Sequence, residues 1–134
     1  MTTLNWQETT PGVEEYCALR VAAGLSPKSA AAAEKGLPGS LYAICVRDSS
    51  GRLVGMGRVI GDGGCNFEIV DIAVAPDHQG QGLGKGIMQR VEHYLDGVVE
   101  TGSYVCLIAD KPGFYEKLGY QQTGPASLGM YKLY

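Results

Sequence analysis

The segment Val74-Ala75-Pro76-Asp77-His78-Gln79-Gly80-Gln81-Gly82-Leu83-Gly84-Lys85-Gly86 carries the densest chemical signal in the chain. An apolar stretch ends there, glycines follow, and a helical period begins at Leu83. Positions without side chains at such a joint let backbone N–H groups converge on an anion, and a helix start adds about half a positive charge. The chemistry this supports is a pyrophosphate cradle. A dinucleotide fingerprint, G-x-G-x-x-G, fails in register, because its third glycine, counted from Gly80, would fall on Lys85. A P-loop fails as well: it needs glycine at position 79 and a hydroxyl residue after Lys85, where the chain has Gln79 and Gly86. Glycines that merely permit tight strand–helix packing would number one or two.

A cradle of this kind suits the composition. The 134 residues hold 11 Lys+Arg against 14 Asp+Glu, a net charge of −3. Nucleic-acid binders carry a basic surplus, so that partner class is excluded, and an anionic ligand must be held locally. Length predicts a single domain over residues 1–134, and 45% hydrophobic with 19% charged residues excludes a disordered chain. No apolar run approaches the roughly 20 residues of a membrane helix, and Met1-Thr2-Thr3-Leu4-Asn5-Trp6 has neither basic leader nor apolar core. A cytoplasmic protein without membrane partners is expected. Cys17, Cys45, Cys65 and Cys106 are scattered, with no CxxC pair, and with only His78 and His93 no metal site is expected. Reduced structural thiols are the natural reading.

The elements that must position the joint follow from periodicity. Leu4 to Glu8 suits a short first strand; Val13, Tyr16, Cys17, Arg20 and Val21 recur at helical spacing between Pro11 and Gly24. A second helix is expected with Ser26 as N-cap, Pro27 at its first position, an alanine run through Ala33, and Gly36 closing it. Leu41–Val46 and Leu53–Ile60 read as strands of a hairpin around Asp48-Ser49-Ser50-Gly51, and Phe67–Val74 as the next strand after Gly61-Asp62-Gly63-Gly64. Leu83, Ile87, Val91 and Leu95 stack on one helical face, with Gly97 closing it. Tyr104–Ala109 reads as a further strand, Phe114–Leu118 as a short helix, and Tyr120–Gln122 with Met130–Leu133 as a final antiparallel pair. The expected class is α/β with α+β character: a mixed sheet with helices on both faces.

Gln79-x-x-Gly82-x-Gly84 resembles the Q/R-x-x-G-x-G/A signature of the GNAT superfamily, the acetyl-CoA-dependent N-acetyltransferases. Ile72-Ala73-Val74 before it and Gly113-Phe114-Tyr115-Glu116-Lys117-Leu118-Gly119-Tyr120 after it resemble two further family elements, in order. The resemblance extends over about Leu53 to Tyr120. It implies a mostly antiparallel sheet in which one parallel strand pair, around Ile69–Val74 and Val105–Ala109, splays apart. It also implies that Gln79, Gly80, Gln81, Gly82, Leu83, Gly84 and Lys85 hold the coenzyme pyrophosphate, with the main chain of Ile72, Ala73 and Val74 along the pantetheine arm. Many members have Asn shortly after the second parallel strand; this chain has Asp110-Lys111-Pro112. Members frequently dimerise through C-terminal strands, an edge that Tyr131 and Tyr134 would suit.

Acetyl transfer to an amine needs a neutral nucleophile, a polarised thioester carbonyl and a proton for the departing thiolate. A primary amine of pKa about 10.4 is neutral in roughly one molecule in 2,500 at pH 7, a penalty of about 4.6 kcal/mol that a carboxylate base relieves. By resemblance Glu68 matches the catalytic glutamate of histone-acetylating members and Tyr115 the tyrosine that protonates the coenzyme sulfur. Asp71 is a second candidate base or amine anchor; strict alternation puts it opposite Glu68 unless a bulge re-aims it. Arg58 and Asp62, flanking Gly61, and Tyr16, Arg20 and Tyr42 are candidates to line the amine pocket. The expected partner is a small primary amine. An acyl-CoA-binding module without turnover, or an enzyme acting on protein or peptide amines, is the alternative.

Overall fold

The computed structural model describes residues 3–134. Five strands form one sheet in sequence order: β1 (Asn5–Gln7), β2 (Tyr42–Arg47), β3 (Leu53–Gly61), β4 (Asn66–Val74) and β5 (Tyr104–Leu107). The first three pairings are antiparallel and β4–β5 is parallel. The helices are α1 (Val13–Ala22), α2 (Ala30–Gly36), α3 (Leu83–Asp96) and α4 (Pro112–Glu116). The mixed sheet expected from the sequence is present.

Consecutive residues of β3 show why helices cover both faces. A Cβ on Gly57 would sit 2.8 Å from both Ile72 Cδ1 and Ile87 Cγ2, so this position faces α3. Next to it, Arg58 lies over the Tyr16 ring of α1 on the opposite face. Ile87, Met88 and Val91 of α3 are fully buried, as are Ile44, Val46, Val54, Met56 and Val59 of the central strands. Gly57 thus allows a close approach of α3 to the sheet. The Trp6 ring of β1 lies over Gly86 and stacks on Arg90, its centroid 4.0 Å from the guanidinium carbon.

The connections use local chemistry. Asp48 and Asp62 each accept backbone N–H bonds within their hairpin turns. Glu15 accepts from the Gly12 N–H at the start of α1 and from both terminal nitrogens of Arg47, tying the helix to β2.

Two expectations are corrected. The N-cap of α2 is Ser29, whose hydroxyl accepts from the Ala32 N–H, not Ser26. Ser26 is engaged by Arg20, which donates to both its carbonyl and its hydroxyl. The final antiparallel pair is absent: Tyr120–Gln122 and Met130–Leu133 form no strand, and every residue from Gln121 onward is exposed. Short apolar runs have strand propensity, but a strand exists only where an edge receives it. The C-terminal strand edge expected at Tyr131 and Tyr134 is therefore not formed by the chain itself. For Asp71, the bulged alternative to simple alternation along β4 is the one observed.

Replacing Gly57 by alanine should overpack the α3 interface and cost about 1–3 kcal/mol of stability in urea unfolding. A loss below about 0.5 kcal/mol would show that Ile72 and Ile87 can move aside freely.

Candidate functional site

A cleft of about 1030 Å³ runs from the Gly80–Lys85 loop along β4 to the α1–α2 connection. At its first end, β4 stops at Val74, a 3-10 turn covers Pro76–His78, and α3 starts at Leu83. The Gln79 side-chain amide donates to the Val74 carbonyl at 3.0 Å, closing the strand end. Gly80 (φ +78°) and Gly82 (φ +80°) adopt left-handed conformations, and a Cβ on either would meet nothing within 4 Å. Among the described residues, the backbone N–H groups of residues 80–85 have no protein hydrogen-bond partner. Unpaired amides at the positive end of a 14-residue helix form an anion site. Phe114 of α4 packs on Gly84, 3.6 Å from where its Cβ would stand, holding the start of α3 against α4.

In the middle of the cleft, the parallel pairing runs only from Asn66↔Tyr104 to Ile69↔Leu107. Beyond it, Val70 to Val74 remain paired to β3 alone, and their other edge opens to the cleft together with Leu107 and Ile108. The main chain of Ile72, Ala73 and Val74 therefore offers strand hydrogen-bonding groups to an extended ligand arm.

At the far end lies a bulge. Met56 pairs with Ala73 and Arg58 with Val70, so Asp71 and Ile72 together oppose Gly57. Asp71 has φ +60°, a left-handed conformation that aspartate tolerates better than most residues. The bulge turns Asp71 to the α1 face, the face that Val70 and Glu68 share with their partners Arg58 and Ile60. Both carboxylates thus lie on one side of the sheet.

They are differently employed. Asp71 Oδ1 accepts from Arg20 Nη1 at 2.5 Å, and Oδ2 accepts from Arg58 Nε at 2.7 Å and from the Tyr16 hydroxyl at 3.0 Å. Its side chain is 3% exposed. With both oxygens engaged by two cations and a phenol, Asp71 is a structural anchor, which corrects its reading as a candidate base. Burial, and then the nearby Asp71 carboxylate, push the Tyr16 phenol above its ordinary pKa, so it remains the donor. Glu68 faces the cleft without any ion pair among the described residues.

Tyr115, in α4, also lines the cleft. Its ring meets Phe114 and Tyr120 edge to face, with centroids 5.0 and 6.1 Å apart. Burial, and then the Asp110 carboxylate, raise the Tyr115 pKa, so its hydroxyl keeps its proton through neutral pH and beyond. The Cys106 thiol, opposite Glu68 across β4–β5, is likewise pushed up, first by burial and then by Glu68.

Tyr16, Arg20 and Arg58 border the cleft, whereas Asp62 and Tyr42 stand outside it. The Asp62 carboxylate is consumed by three backbone amides of its turn. Tyr42 lies on the α3 face, stacked on Tyr94 at 4.8 Å and donating to Glu8. Sequence reasoning missed Ser40 and Lys28. Ser40 accepts from Arg58 at 2.9 Å, and Lys28 borders the cleft. Neither carries a local signal, because each is defined by residues distant in the chain.

Residues 38–122 match the family described as Acetyltransferase (GNAT) domain. The chain is 39% identical over 87 residues to an uncharacterized N-acetyltransferase, ycf52, of Porphyra purpurea, covering 63% of this chain and 48% of that protein. It is 38% identical over 84 residues to a chloroplastic serotonin N-acetyltransferase 2 of Oryza sativa, covering 61% of this chain and 41% of that protein. The chain thus spans less than half the length of these curated relatives. A crystal structure of a protein of unknown function from meticillin-resistant Staphylococcus aureus, described as a probable acetyltransferase, superposes with TM-score 0.94 at 48% identity. That superposition covers 98% of this chain and 100% of the other.

Changing Asp71 to asparagine keeps a residue tolerant of φ +60° while leaving two buried guanidiniums without their counter-charge. Urea unfolding should show a loss of about 3–5 kcal/mol. A loss under about 1 kcal/mol would mean that solvent already screens the pair.

Proposed function

The chain belongs to the GNAT acetyltransferase family, and on that premise we propose that it moves the acetyl group of acetyl-CoA to a primary amine within a ternary complex. The observation that carries this reading is the continuity of one cleft: unpaired amides at residues 80–85, an unpaired strand edge, and Glu68 with Tyr115 beyond it. A pyrophosphate fits the first, an extended pantetheine arm the second, and the reacting groups the third. When bound, acetyl-CoA supplies an activated acyl group and a thiolate leaving group. A cleft of about 1030 Å³ that must also admit the coenzyme arm supports a small acceptor. The rice relative's name, serotonin N-acetyltransferase, is consistent with an amine of that size.

In this reading the main chain of Ile72 to Val74 aligns the thioester arm beside β4. Glu68 takes a proton from the acceptor ammonium, directly or through water, and the neutral amine attacks the thioester carbonyl. Tyr115 faces the departing sulfur. A thiol of pKa about 8.5 is a stronger acid than a phenol raised above its ordinary value of about 10, so the hydroxyl stabilises the thiolate chiefly by donating a hydrogen bond. Its position therefore counts for more than its acidity.

Thiol release from acetyl-CoA, measured across a panel of amines, tests the reading. Gly82→Asp places a carboxylate at a left-handed position in the cradle and should abolish both calorimetric acetyl-CoA binding and turnover. Binding by the unmodified protein without turnover on any amine would favour an acyl-CoA-binding module instead.

Tyr115→Phe should lower kcat by about 10²-fold or more while leaving acetyl-CoA affinity unchanged. Because the phenol is raised, the unmodified protein should show no alkaline fall in kcat from Tyr115 below about pH 10. An unchanged kcat in the variant at every pH would remove Tyr115 from the chemistry.

A further inference from the structure

At the acceptor end of the cleft, a single carboxylate faces two guanidiniums. Arg20 and Arg58 side chains are 9% and 10% exposed, and both pair with Asp71, so the cluster keeps one net positive charge inside the protein. Neither arginine forms an ion pair with Glu68 or Asp110, the other carboxylates bordering the cleft. Buried charges are normally matched one for one, and an uncompensated cation marks a place where a counter-charge binds.

The hydrogen bonds locate that place. Arg20 has a partner at each of its three nitrogens: Nε and Nη2 donate to Ser26 and Nη1 to Asp71. Arg58 spends Nε on Asp71 and Nη1 on Ser40 and the Gly36 carbonyl. Its Nη2 has no hydrogen-bond partner among the described residues. Arg58 lines the cleft, so this unused donor and the surplus charge belong to a residue that borders the volume an acceptor would fill.

Glu68 stands at a fixed offset from it. Arg58 pairs with Val70, and Glu68 is two residues further along β4 on the same face. Diagonal neighbours of this kind lie about 7–8 Å apart. A free carboxylate and an under-used guanidinium at that spacing form a two-point recognition site for a compact zwitterion.

We propose that the acceptor is a small primary amine that itself carries an anionic group, a carboxylate or a phosphate, with its ammonium at Glu68 and its anion on Arg58 Nη2. This rests on the acetyltransferase reading for the reaction but not for the binding. It also refines the expectation of a merely cationic amine: an amine without an acid would leave the arginine charge unanswered.

The test compares matched pairs on the unmodified protein: 5-hydroxytryptophan against serotonin for the carboxylate, and phosphoethanolamine against ethanolamine for the phosphate. Calorimetric titration gives affinity whether or not turnover occurs, and thiol release gives kcat/KM. The acid-bearing member of at least one pair should bind about tenfold or more tightly, as expected for a hydrogen bond to a charged group, and the better pair identifies the anion. Arg58→Lys keeps the charge against Asp71 but removes the fork. It should erase the preference, raising KM for the acid-bearing amine with kcat little changed.

Equal or weaker binding of the acid-bearing member in both pairs overturns the proposal, whatever the variant does. A preference that survives in a folded Arg58→Lys protein overturns the assignment to Arg58. Zwitterion binding without thiol release would instead count against the transferase reading and leave this one standing.

Discussion

The α1 side of this molecule hangs on one buried carboxylate. Asp71 leaves β4 through a left-handed bulge residue and joins three side chains from two other elements: Tyr16 and Arg20 of α1 and Arg58 of β3. Without the bulge, alternation would send Asp71 to the α3 side, into the packing of Ile72 and Ile87. The same irregularity therefore orients the anchor toward Arg20 and Arg58, while Glu68, on the same face, stays without an ion pair among the described residues. Buried ion clusters are poor sources of net stability, and their value is geometric. Here the cluster ties α1 to β3 and β4.

The two ends of the cleft present positive charge by different means. The α3 end uses peptide dipoles and unpaired amides on a chain whose net charge is −3. The α1 end uses formal charge, held in place by Ser26, Ser40 and Asp71. Dipoles fixed by a helix act over short range and demand close approach, which glycines at 80 and 82 permit. Guanidiniums act at longer range but need neighbours to hold them rigid, and Ser26, Ser40 and Asp71 engage most of their nitrogens.

Much of this was legible in the sequence where the signal is local. The glycine joint, the period of Leu83, Ile87, Val91 and Leu95, and the hairpin turns are each written in consecutive residues. What escaped prediction depends on partners distant in the chain. Ser26 is as good an N-cap as Ser29, and only the claim of Arg20 on it decides between them. Asp62 and Tyr42 have the polarity of pocket residues, but a turn and an aromatic stack use them first. Asp71 stood out as a carboxylate within an apolar strand, yet the two arginines that engage it lie 13 and 51 residues away. The expected final strand pair failed for a related reason: apolar alternation states a preference, not the presence of an edge.

The bulge at Asp71 also bears on how such a protein can change over generations. The α1–α2 connection, Gly24 to Lys28, borders the cleft but contributes nothing to the sheet ladder. Apart from Gly24, at φ +88°, and Ser26, which holds Arg20, substitutions there alter the cleft wall while the anchor keeps α1 in register and the α3 half stays untouched. Selectivity can drift through single residue changes without a folding crisis. The anchor itself has no such latitude, since a replacement must supply both a carboxylate and tolerance of a left-handed backbone. Aspartate meets both demands, and so position 71 is where this lineage would be slowest to experiment.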